Sequence, residues 1–86
     1  MIEQKISVIV PFFNSELTLY KCLKSIFQSD YKNFEVIAVS DGSNDKSDYI
    51  AKKFPCKFIR LKRNFGSGFT RNQGAKVAKS KILVFI

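Results

Sequence analysis

The sequence predicts an α/β fold with one parallel sheet. Three observations carry that reading. Short apolar runs rich in β-branched residues alternate with segments of helical periodicity. Turn residues separate them. The order strand–helix repeats three times and ends on a fourth strand without a hairpin signal, so the strands pair in parallel through right-handed crossovers. Those rules give a Rossmann-like sheet with strand order 3-2-1-4.

Each element follows from its residues. Ile6 to Pro11 is a continuous apolar run, as in a strand buried on both faces. Phe12 to Ser15 is a loop, and Asn14 or Ser15 can cap the helix after it, with Glu16 in its first turn. Leu19, Cys22, Leu23, Ile26 and Phe27 recur at i, i+3, i+4, i+7 and i+8, one apolar helical face. Ser29 to Asn33 breaks the pattern. Phe34 to Ser40 is a second buried strand. Asp41-Gly42-Ser43-Asn44-Asp45 is a turn by composition. A helix over Lys46 to Phe54 follows, with Tyr49, Ile50 and Phe54 as its buried side, and Pro55 ends it. Phe58 to Leu61 is a third strand, and Asn64 to Gly68 a glycine-bearing loop. Phe69 to Ala78 is a helix whose Gly74, Ala75 and Ala78 allow close approach to a sheet. Ile82 to Ile86 is the fourth strand.

Length and composition narrow the class. The chain has 86 residues, 45% hydrophobic and 26% charged, with nine Phe and three Tyr. That excludes disordered and collagenous chains. Its longest clean apolar run, Ile82 to Ile86, cannot form a membrane-spanning helix. Met1 to Lys5 lacks the basic-then-apolar pattern of a leader, which makes a cytoplasmic location the expectation. No His occurs, and Cys22 and Cys56 stand far apart without a CxxC, so no zinc site is expected. Ending on a core strand is odd for a complete domain, and the expectation is the N-terminal part of a larger one.

Charge is unevenly distributed. Residues 1–48 carry five Lys against seven acids, and residues 49–86 carry ten Lys and Arg and no acid. The chain's net charge is +8. An anionic partner is one reading, and a solvated basic face is the other.

Three loops should meet at the C-terminal edge of the sheet, where open α/β folds bind ligands. They bring Pro11, Phe13 and Asn14; then Asp41, Gly42, Ser43 and Asp45; then Asn64, Gly66, Gly68, Arg71 and Asn72. A carboxylate can accept from a base imino group, an aromatic can pack on the base, and Arg can pair with phosphate. Taken singly, Asp41-Gly42-Ser43 is more often a turn whose Asp caps the next helix. The dinucleotide fingerprint fails, because its third glycine would fall on Arg71, and the Walker pattern fails as well.

In order, these blocks resemble the family-two nucleotide-sugar glycosyltransferases of the GT-A fold. The matching residues are Val10, Pro11, Phe13 and Asn14; Leu23, Ser25, Ile26 and Gln28; Glu35, Asp41, Gly42, Ser43 and Asp45; and Asn64, Gly66, Arg71, Asn72 and Gly74. The resemblance spans nearly the whole chain. It implies that residues 1–86 form the N-terminal, nucleotide-sugar-binding part of one glycosyltransferase domain. It places Asp41 on the base, Pro11 at the base pocket through its backbone, Phe13 and Asn14 beside them, and Arg71 toward the diphosphate. Ser40 stands where many relatives have a second Asp, Phe13 where Tyr is common, and Thr70 where Ala is common.

The implied reaction passes the sugar to an acceptor hydroxyl with inversion, the donor being a UDP-sugar ahead of a guanine nucleotide on resemblance alone. The acceptor would be a glycan, lipid or protein. The family's Asp-x-Asp for a divalent metal, Mg or Mn, does not occur in this sequence, and neither does its later general base. The expectation is therefore a metal in the full enzyme, none bound by residues 1–86, no catalytic residue among them, and no activity from them alone. Peripheral contact with the inner membrane face is a further expectation. The competing reading is a non-catalytic basic α/β module for nucleic acid or an anionic membrane surface. Four ordered blocks oppose it, since charge alone would not require Asp41 or Asn64, and nucleic acid is not the expected partner.

Overall fold

A computed structural model describes residues 4–86; Met1 to Glu3, the start of the segment read above for a leader, lie outside the described residues. Four strands and three helices alternate: β1 (Ile6–Phe12), α1 (Leu19–Phe27), β2 (Phe34–Ser40), α2 (Ser47–Ala51), β3 (Lys57–Arg60), α3 (Ser67–Val77) and β4 (Ile82–Phe85). All pairings are parallel and the order is β3-β2-β1-β4, as the sequence predicts.

Both faces of the central strands β1 and β2 are covered, which is why those two read as continuous apolar runs. On one face Val8, Val10, Phe12, Val36 and Ala38 pack with Leu19 and Leu23 of α1 and Ala51 of α2. On the other, Ile9, Ile37 and Val39 pack with Ile59, Leu61, Ala78 and Leu83. Here α3 lies close to the sheet at Gly74, where an added Cβ would stand 2.6 Å from Ile9 Cγ2.

At the opposite edge from the loops, Glu35 ties four segments together. Its carboxylate accepts from Ser7 Oγ on β1 and from the Lys79 backbone N–H (2.7 Å), and pairs with Lys57 Nζ on β3 (3.5 Å). Burial alone would raise this carboxyl, but those donors and the Lys57 charge outweigh it and hold the group below the usual glutamate range.

The helices differ from expectation at their ends. α1 begins at Leu19 because Ser15 to Thr18 form a turn, with the Ser15 carbonyl accepting from Thr18 and Leu19. The Asn14 and Ser15 side chains do not cap it; Ser15 Oγ donates back to Phe13 O. α2 is shorter than expected, since Lys53 and Phe54 donate three residues back, tightening the chain ahead of Pro55. Tyr49 faces out rather than in; Ser47 and Ala51 are the buried residues of α2. No helix among the described residues is long and apolar enough to cross a membrane.

Candidate functional site

At the C-terminal edge, Pro11, Phe13, Asp41 and Arg71 line one cavity of about 330 Å³, together with Asn64, Ser67 and Thr70. The cavity lies between the ends of β1 and β2 and the first turn of α3.

Asp41 sits at its floor, only 5% exposed. Its Oδ1 accepts from the Phe65 N–H (2.7 Å), and its Oδ2 accepts from the Gly66 N–H (3.0 Å) and Asn64 Nδ2 (3.1 Å). Its own N–H donates to Phe12 O (2.8 Å), fixing it to β1. Asp41 does not cap α2. Asp45 makes a local turn ahead of that helix instead, its Oδ1 accepting from the Ser47 N–H at 2.9 Å, and α2 has no side-chain cap. The Asp41 carboxylate instead clamps the loop that enters α3. It has acceptor capacity beyond those three bonds, since two carboxylate oxygens offer about four lone-pair sites.

The turn after Asp41 needs glycine. Gly42 has φ +75°, and an added Cβ would stand 2.6 Å from the Arg63 backbone carbonyl carbon. Ser40, fully buried, accepts from the Ser43 N–H and closes the turn (3.2 Å). Beyond it, Gly66 has φ +98° ahead of α3, and buried Thr70 donates from Oγ1 to Gly66 O at 2.7 Å.

Asn14 does not line this cavity. With φ +47°, it donates its N–H to Ser43 Oγ (3.0 Å), and its Oδ1 accepts from the Asn44 N–H (2.7 Å). It is part of a seam between the first two loops. Ser15 N–H donates to Ser47 Oγ (2.6 Å), Glu16 N–H to Asp45 Oδ2 (3.2 Å), and Lys46 N–H to Glu16 Oε1 (3.1 Å). The N–H groups ahead of α1 are thus satisfied by side chains from another loop. Desolvation pushes the Asp45 carboxyl up, but the Ser47 and Glu16 donors outweigh it and set the group below its usual range.

The sequence brings Asn64 to this edge without giving it a role, and it does not bring Thr70 there. The Asn-x-Gly ahead of a helix was the available signal for Asn64; nothing local marks Thr70.

The residues present do not fit a metal. Among the described residues no three His, Cys, Asp or Glu side chains cluster as ligands, and the cavity lining holds one carboxylate, that of Asp41.

The family model described as "Glycosyl transferase family 2" matches residues 7–86. Glycosyltransferase GlyA of Streptococcus pneumoniae is 38% identical over the whole of this chain, which covers 13% of that protein. The uncharacterized glycosyltransferase YfnE of Bacillus subtilis is also 38% identical, over 94% of this chain and 22% of its own length. Among solved structures, S. aureus TarS 1-349 in complex with UDP-GlcNAc superimposes with TM-score 0.90 at 35% identity, over 95% of this chain and 26% of that one. Glucosyl-3-phosphoglycerate synthase from Mycobacterium tuberculosis, solved with Mn2+ and UDP, gives TM-score 0.76 at 25% identity, over 96% of this chain and 33% of that one. The chain therefore spans a third or less of each.

Proposed function

The chain belongs to glycosyl transferase family 2, and we propose that its crevice holds the nucleoside diphosphate of a nucleotide-sugar donor whose sugar the whole protein transfers to an acceptor hydroxyl with inversion. One observation carries the reading: Pro11, Phe13, Asp41 and Arg71, from three separate loop regions, line one cavity. The similar TarS structure holding UDP-GlcNAc supports a uridine nucleotide as the donor class.

Asp41 binds the base. The Phe65 and Gly66 N–H groups fix its carboxylate, and a remaining lone pair accepts an imide N–H, which uracil has at N3 and cytosine lacks. Pro11 and Phe13 supply apolar surface against the base edge. Arg71, exposed in the second turn of α3, carries positive charge to the side of the crevice where the diphosphate lies. A divalent metal, of the kind present with the M. tuberculosis enzyme, would neutralise diphosphate charge and would need protein ligands from outside the described residues. Asn14 acts on the site through the second loop rather than on the nucleotide.

Titration of UDP and of uridine into wild type and Arg71→Ala tests this orientation. The variant loses roughly 10-fold or more in UDP affinity and little in uridine affinity, because a charge-assisted bond to phosphate contributes about 1.5–3 kcal/mol. An equal loss for both ligands contradicts it. The anomeric configuration of the product made by the whole protein tests inversion.

A further inference from the structure

We propose that the outer surface of α3 and the end of β3 form a docking surface for an anionic lipid bilayer. The donor crevice uses one cation, Arg71, and leaves the rest of the basic excess unexplained.

That excess gathers on the α3 side of the sheet. Lys57, Lys62, Arg63, Lys76 and Lys79 are all exposed there. The acids facing them are Glu35, already bonded to Lys57 and Lys79, and Asp41, buried beneath its loop. Glu16, Asp45 and Asp48 sit instead with the α1–α2 side, where their oxygens are engaged by Lys46, Ser47 and Arg60. The face therefore carries a net positive charge.

It also carries apolar surface. Phe69, in the first turn of α3, is 43% exposed, and Lys76, seven residues on, lies along the same side of the helix. Phe65 stacks on Phe69 with ring centroids 4.5 Å apart, and the Arg63 guanidinium lies 4.6 Å from the Phe65 centroid. This stack links the loop after β3 to the first turn of α3. Aromatic side chains ringed by lysines are the pattern of an interfacial membrane contact, in which apolar groups enter the headgroup boundary and cations meet anionic lipids. Single-stranded nucleic acid needs open ring faces for its bases. Here the Phe65 ring is occupied by Arg63 and Phe69, which favours the bilayer.

The test is co-sedimentation of the full chain with vesicles of phosphatidylcholine alone or mixed with phosphatidylglycerol. Binding is expected to the mixed vesicles only. Each lysine near the surface contributes about fivefold, so Lys62→Gln with Lys76→Gln weakens binding roughly 25-fold. Lys21→Gln with Lys24→Gln removes the same charge from α1, on the other side of the sheet, and leaves binding within about twofold. Phe69→Ser weakens the binding that survives in raised salt, where charge is screened. Circular dichroism establishes that each variant is folded. Equal losses from the two lysine pairs, equal binding to both vesicle types, unchanged salt-resistant binding by Phe69→Ser, or tighter binding to single-stranded RNA that the Lys62/Lys76 pair abolishes would each overturn the proposal.

Discussion

The Phe65 backbone N–H donates to Asp41 Oδ1 at 2.7 Å, across 24 residues of sequence. Through this bond and its neighbours at Asn64 and Gly66, one carboxylate at the end of β2 sets the path of the chain into α3. The residue proposed to read the base therefore also positions the loop that walls the crevice.

Asn64→Ala removes one of the three donors to Asp41 and leaves the two backbone donors. A stability loss of about 0.5–1.5 kcal/mol is expected, with weaker binding of every nucleotide and no change in their ranking. Urea denaturation and parallel titrations check both parts.

Gly42 and Gly66 both adopt positive φ, yet Ala should not cost the same at each. At Gly42 the new Cβ meets the Arg63 backbone at 2.6 Å, so overpacking adds to conformational strain and a loss of about 2–4 kcal/mol is expected. At Gly66 nothing beyond its chain neighbours lies within 4 Å of the new Cβ, and its φ +98° and ψ +159° are open essentially to glycine, so strain acts alone, at about 1–3 kcal/mol. Denaturation midpoints of the two variants give the ranking.

Gly74→Ala sets two effects against each other. Helix propensity favours Ala by about 1 kcal/mol. The Cβ would meet Ile9, which is fully buried, at 2.6 Å and Val39 at 3.2 Å, and overpacking of such a core costs about 1–3 kcal/mol. Net destabilisation is expected; a raised melting temperature would show that Ile9 repacks freely.

Glu35 governs part of the acid limb of stability. Its folded pKa lies below its unfolded value, so its contribution is fully present above the unfolded value and is lost as pH falls through the folded one. Glu35→Gln should lower stability near neutrality by about 1–3 kcal/mol and flatten the fall on acidification below about pH 4.3. Urea midpoints measured across that range for both proteins check it. Asp45, shifted the same way, keeps some slope in the variant.

Much of the architecture was legible because each element carries its own signal. The buried run from Phe34 to Ser40 marks β2 to its observed ends, and the spacing of Leu19, Cys22, Leu23, Ile26 and Phe27 marks the inner face of α1. Helix starts were less legible because α1 is satisfied from a distance: Asp45 and Ser47 accept the N–H groups of Glu16 and Ser15, and no local pattern reports that. Apolarity alone places Tyr49 inside, but α2 is one short turn, whose approach to the sheet suits Ser47 and Ala51. In the crevice, proximity of Pro11, Phe13, Asp41 and Arg71 follows from topology, since three loops share one sheet edge. The direction of Asn14 and the partners of Asp41 depend on hydrogen bonds between loops, and spacing along the chain does not encode them.

Titration of UDP and CDP into wild type and Asp41→Asn tests base reading most directly. Both the clamp and the base contact weaken in this variant, so a loss of UDP affinity alone decides nothing; the ratio does. An acceptor-only carboxylate discriminates against cytosine, whose ring nitrogen presents a lone pair, and loss of that charged contact corresponds to roughly 10- to 150-fold in affinity. The expected result is a UDP-over-CDP ratio that narrows toward one in Asp41→Asn. A ratio unchanged from wild type, with both nucleotides weakened alike, would show that Asp41 only holds the loop and contradict base reading.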